Sequence, residues 1–148
     1  MAQFGRPSAD TNNPDAYTDQ GGGSTTIYTT IDESVASDAD YIRSPLAPSS
    51  DVYVTALSTL EDPVSSTGHV IRTRLAKDAA GGAQIDATIQ LRQGYVSEAS
   101  LGTLIATVPS TSSLSETFTD KNHTLSGAEA DAITDYTDLA LRIVFNQV

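Results

Sequence analysis

Leu125 to Phe145 reads LSGAEADAITDYTDLALRIVF, and its second half decides the fold. Leu139, Leu141, Ile143 and Phe145 recur at every second position, so an extended backbone puts them on one face. Ala140, Arg142, Val144 and Asn146 take the other. The first half carries a helix start, because Ser126 and Glu129 stand at the spacing of a capping box. A helix there runs to about two turns at most, so it joins elements and cannot build a core. The strand after it is the one on which a sheet must close.

The same alternation recurs upstream. His69, Ile71, Thr73 and Leu75 share one face of a segment from His69 to Ala76, with Val70, Arg72, Arg74 and Ala76 opposite. Ile85, Ala87, Ile89 and Leu91 line the inner face of the next segment, with Asp86, Thr88, Gln90 and Arg92 outside. Joined by KDAAGG (Lys77 to Gly82), the two are expected to pair as a long hairpin that brings Arg72 and Arg74 near Asp86. Further strands are expected at Thr25–Ile31, Asp40–Arg43, Asp51–Leu57, Leu101–Val108, Ser115–Thr119 and Lys121–Leu125. The Pro-rich SPLAPSS (Ser44 to Ser50) is a connection, since proline cannot donate to a ladder.

About eight short strands at 8–12-residue spacing imply an all-β chain, an antiparallel β-sandwich of jelly-roll type with one short helical turn. Residues 1–24 look different. Pro7, Pro14 and Gly21-Gly22-Gly23 break regular structure, and apolar residues are sparse. The expected organisation is an extended N-terminal arm over 1–24 and a sandwich over 25–148. Phe4, Arg6, Pro7 and Tyr17 are the residues by which such an arm would hold a partner, which must repay the entropy of ordering it.

The chain has 148 residues, the length of one domain, and a formal net charge of −11. That charge argues against binding nucleic acid, whose phosphates need clustered Lys and Arg. There is no cysteine, which excludes disulfides, thiol catalysis and thiolate metal sites. No apolar run is long enough to cross a membrane as a helix. The first residues lack the apolar core of a secretory signal, so synthesis in a cytoplasm without export by the signal-peptide route is expected.

Catalytic chemistry finds little support. His69 and His123 are the two histidines and do not stand at metal-ligand spacing. There is no G-x-S-x-G elbow. Acidic residues cluster at Asp32, Glu33, Asp38 and Asp40 and again at Glu129, Asp131, Asp135 and Asp138, without calcium-loop spacing or a sign of a glycosidase cleft. No enzyme activity, metal or cofactor is expected. A glycan platform would use exposed aromatic rings, and the chain has no Trp, six Tyr and three Phe.

Three stretches together resemble a β-sandwich module of tailed-bacteriophage virion proteins. They are Ile31-Asp32-Glu33 with Asp38 to Ile42, the strand Gly68 to Arg72, and Ala128 to Leu139, so that the resemblance covers about residues 15 to 148. Tyr17 departs from it, standing where that module has Trp. The resemblance implies a structural protein of the virion, a capsid decoration (cement) protein on the outer capsid surface. Its partners would be the major capsid protein and itself, as a homotrimer. The alternative it implies is a tail or fibre component that binds host surface glycans.

Overall fold

The computed structural model describes residues 3–109 and 111–148. Its frame is a five-stranded antiparallel sheet with the terminal strand at the centre, in the order β1-β4-β9-β6-β7. These are β1 (Pro7–Asn12), β4 (Ser49–Leu57), β9 (Leu139–Gln147), β6 (Ile85–Gln93) and β7 (Thr103–Thr107). On one face Ile143 lies between Tyr53 and Ile89, and Leu141 between Thr55 and Leu91. This is the face read from the alternation in β9. Strand register is specified wherever one face is buried, because a one-residue slip would turn every apolar side chain outward.

Two short ribbons cover that face. One pairs β2 (Thr18–Asp19) with β3 (Ile42–Arg43), and the other pairs β5 (Val70–Leu75) with β8 (Thr119–Thr124). Under the second ribbon Ile71, Ile89, Leu91, Ile105, Val108, Leu125 and Leu139 form the larger core. Beside the first, Tyr17, Ile27 and Tyr53 form a smaller one, and Ile143 touches both. The chain is therefore all-β and sandwich-like, as its patterning implies. The covering layer is two ribbons rather than one continuous sheet.

The helical turn is α1 (Gly127–Asp131), and it carries the capping box. Glu129 N–H donates to Ser126 Oγ at 3.3 Å, and Ser126 N–H donates back to Glu129 Oε2 at 2.7 Å. Two orphan donors of the helix start are satisfied at once.

Four expectations need correction. Ser115–Thr119 and Lys121–Leu125 are not two strands: a single strand, Thr119–Thr124, stands in their place, and 115–118 lies outside it. Thr25–Ile31 is not a strand: Ile27–Thr30 is a 3-10 turn, despite its β-branched residues. The reason lies in Asp10, whose two carboxylate oxygens accept the N–H groups of Ile27 and Tyr28 at 2.8 and 2.9 Å. A carboxylate placed there fixes the start of a turn, and tertiary contact overrides local propensity.

The long hairpin is absent. Each strand has the faces read from its alternation, but β5 pairs with β8 and β6 with β9 and β7. The stretch after β5 crosses from the covering layer to the main sheet, through a turn at Ala79–Gly81 capped by Asp78. Alternation tells which face a residue takes and not which strand lies beside it. Asp86 accordingly meets neither arginine and accepts from Ser113 N–H and Gln84 Nε2.

Residues 3–24 are not an arm separate from the sandwich, and residues 1–2 lie outside the described residues. Pro7–Asn12 is an edge strand of the main sheet, paired with β4 from Pro7↔Leu57 to Asn12↔Val54. Tyr17 is 0% exposed, in the core. Breakers such as Pro7 suit an edge, where no ladder bond is lost.

Candidate functional site

Beside β5, part of the main sheet's apolar face lies open. The result is an apolar groove of about 440 Å³. Its floor is formed by Leu57 of β4, Leu91 of β6 and Leu139 and Leu141 of β9. One wall is Gly68 to Arg72, the start of β5, and the other is Gln3-Phe4-Gly5 with Leu60. Leu125, Ile133 and Tyr136 close one end.

The N-terminal wall is pinned in place. Gln3 exchanges two hydrogen bonds with the backbone of Glu61, at 2.8 and 3.0 Å. Ser58 N–H donates to the Arg6 carbonyl at 2.7 Å, and Arg6 N–H donates to Ser58 Oγ at 3.1 Å. Between these ties Phe4 stays 59% exposed on the rim, with the Arg6 guanidinium 5.5 Å from its ring centroid. Such a cation–π pair presents an apolar ring and a positive charge side by side. Gly5 permits the close approach: a Cβ there would sit 2.9 Å from Leu60 Cδ1.

Of the four residues proposed as arm contacts, the structure brings Phe4 and Arg6 together, with Phe4 on this rim. Pro7 begins β1 opposite Leu57. Tyr17 is withdrawn from any surface, stacked between Tyr53 and Phe145 with its hydroxyl donating to the Asp51 carbonyl at 2.8 Å. It holds the fold and cannot grip a partner.

His69 lines the groove as a half-buried histidine. Its Nε2 lies 2.8 Å from the Tyr136 hydroxyl. Its Nδ1 is buried and has no partner among the described residues. Burial raises the Tyr136 hydroxyl above the usual phenol range, and nearby Asp62 and Asp131 add to it.

His123 takes part in a different arrangement. Its Nε2 is 3.0 Å from Glu129 Oε1, while Ser126 Oγ donates to Glu129 Oε2 at 2.9 Å. The carboxylate thus stands next to the hydroxyl, where a nucleophilic triad needs the imidazole. These three groups make a helix cap. The hydrogen bonds from Ser126 N–H and then His123 hold the Glu129 carboxyl below the usual carboxylate range. Among the described residues, no three His, Asp or Glu side chains converge closely enough to hold a metal.

The opposite face of the main sheet carries a polar network that the alternation did not reveal. Asn12 Nδ2 donates to the Tyr95 hydroxyl at 2.8 Å, which donates to Glu98 Oε1 at 2.9 Å. Arg142 from β9 holds both oxygens of Glu98. Beside it Arg92, 8% exposed, donates to Gln90 Oε1 and to the Leu101 carbonyl. The only sequence signal was Arg142 and Arg92 sitting on the outer faces of apolar strands. Their common partner segment, 95–101, could not be placed without the fold.

No protein-family model, curated protein or solved structure matches this chain. The site is therefore read from its own geometry. Tyr17, Tyr53 and Tyr95 are buried, and Tyr28, Tyr41 and Tyr136 are half-buried, so the tyrosines pack inside the protein instead of forming an exposed ring platform.

Proposed function

We propose that the chain is a structural binding protein, a capsid decoration protein of a bacteriophage that attaches to the outer surface of the major capsid protein. The observation that supports this most directly is the apolar groove with exposed Phe4 on its rim and Arg6 against that ring, in a chain of net charge −11. An open apolar face rimmed by polar groups is the usual mark of a protein-binding surface. The acidic remainder keeps many copies soluble and apart from one another. Trimeric self-association would add modest single contacts by multivalency. The packed tyrosines favour this reading over a glycan platform on a tail or fibre.

The test is binding of the full-length chain to emptied, undecorated capsids, with its oligomer mass read by light scattering. Saturable binding is expected, weakened by Phe4→Ala with the fold intact. A chain that ignores capsids at every concentration overturns the proposal. Removing residues 1–24 is not an informative control, since it takes away β1 and Tyr17.

A further inference from the structure

The wall of the groove formed by β5 is an unused sheet edge. Leu125 N–H donates to the His69 carbonyl at 2.9 Å, and Lys77 N–H donates to the Ser115 carbonyl at 2.8 Å. In an antiparallel pair the residues bonded to the partner alternate. His69, Ile71, Thr73 and Leu75 thus face β8, and the backbone N–H and C=O groups of Val70, Arg72 and Arg74 point the other way. Among the described residues the sole neighbour of β5 in its sheet is β8. Among the described residues, no backbone hydrogen bond reaches Val70 or Arg72 from the groove side.

Charge marks the same edge. Arg74 holds Asp38 and Asp120 through three hydrogen bonds. Arg72, on the same outer face of the ribbon and opposite Asn122, makes no hydrogen bond or ion pair with any described residue. It is an exposed cation in an acidic protein, at the lip of an apolar groove. Below it, His69 Nδ1 is a buried polar atom without a partner among the described residues.

We infer that β5 accepts an extended acidic–apolar peptide segment of another protein as a third strand of the β5–β8 ribbon. The pleat dictates the segment's pattern. The residue opposite Arg72 shares its outer face and carries a carboxylate. The residues on either side of it point inward, are apolar, and fill the groove over Leu57, Leu91 and Leu141. Main-chain bonds to Val70 and Arg72 supply the adhesion and the alternate side chains supply the selection. The segment also brings polar backbone atoms to the side of the groove where His69 Nδ1 lacks one. This inference goes beyond capsid attachment and holds whatever surface the protein decorates.

The probes are two synthetic peptides, acetyl-Thr-Val-Asp-Val-Thr-amide and its Lys counterpart at the central position, titrated into full-length protein while amide exchange is followed residue by residue. The Asp peptide is expected to slow exchange at Val70 and Arg72 and to leave Ile71 and Thr73, already bonded to β8, unchanged. It is expected to bind about two- to fivefold better than the Lys peptide, the range of a cross-strand charge pair, and Arg72→Glu is expected to reverse that order. Unchanged exchange at Val70 and Arg72, or equal binding of both peptides to both proteins, overturns the inference. Protection of those amides that grows with protein concentration alone would give the edge to a second copy and overturn it as well.

Discussion

The Tyr17 ring lies against the Tyr53 ring, centroids 5.6 Å apart and planes 28° from parallel. Phe145 stands on the other side of Tyr17 at 6.1 Å. The N-terminal segment is thereby packed onto β4 and β9, the two strands at the heart of the sheet. Burial drives both tyrosine hydroxyls above the ordinary phenol range. Tyr17→Ala is expected to cost about 3–5 kcal/mol, the range for losing a buried aromatic side chain. Urea unfolding followed by near-ultraviolet circular dichroism measures it, and a loss below about 1 kcal/mol would return this segment to the status of an arm.

Asp10 joins three parts of the chain that are distant in sequence. It sits in β1, accepts the Tyr53 hydroxyl at 2.6 Å, and receives the N–H groups of Ile27 and Tyr28 that open the 3-10 turn. Asn keeps the size but loses the charge and one acceptor oxygen. Asp10→Asn is expected to cost about 1–3 kcal/mol, the worth of hydrogen bonds to a charged group. The unfolding midpoint reports the loss. Faster exchange of the Ile27 and Tyr28 amides would locate it.

How much of this was legible beforehand differs from element to element. The face assignments of β5, β6 and β9 follow from side-chain alternation, a local property. The capping box at Ser126 and Glu129 is local too. Partner choice is not, and β5 found β8, some fifty residues on in sequence, instead of the adjacent β6. The first residues read as an arm because Pro7, Asn12, Asn13 and Pro14 look like breakers. Asn13 in fact brackets Tyr17 with two hydrogen bonds, a role no composition shows. Phe4 and Arg6 read as contacts of an extended arm; Phe4 lines the groove and Arg6 lies against its ring. The groove itself lies between β5 and the N-terminal segment, which are far apart in sequence and meet only in three dimensions.

Acid should weaken the outer face through Glu98. Its bond to Arg142 chiefly, with the Tyr95 hydroxyl helping against burial, holds the carboxyl below its usual range. A carboxylate with a folded pKa below its unfolded one stabilises the fold above the unfolded value, near 4.5. That contribution is lost as pH falls from there through the folded value. The side chain is 34% exposed, so solvent screens the pair and the effect is modest. Thermal unfolding temperature measured from pH 6 downward should decline less steeply in Glu98→Gln than in the parent. Parallel curves would show that Glu98 gains nothing from Arg142.

Gly102 is the glycine that the fold can least replace. It sits just before β7 with φ of +65°, a conformation that costs other residues about 1–3 kcal/mol. A Cβ there would also lie 2.2 Å from the Gln93 carbonyl oxygen and 2.5 Å from that of Gly94. Both obstacles are backbone and cannot swing aside. The ladder between β6 and β7 slips its register between Leu91 and Arg92, and the chain returns through this narrow turn. Gly102→Ala must therefore push β7 away from β6, which uncovers Ile105 and loosens the Leu101 carbonyl from Arg92. A loss larger than the conformational cost alone is expected in urea unfolding, together with faster exchange at β7 amides. By contrast Gly68→Ala, with φ of +85° but open space around it, should cost only the conformational part. Equal losses in the two variants would mean that β7 does not pack against this turn.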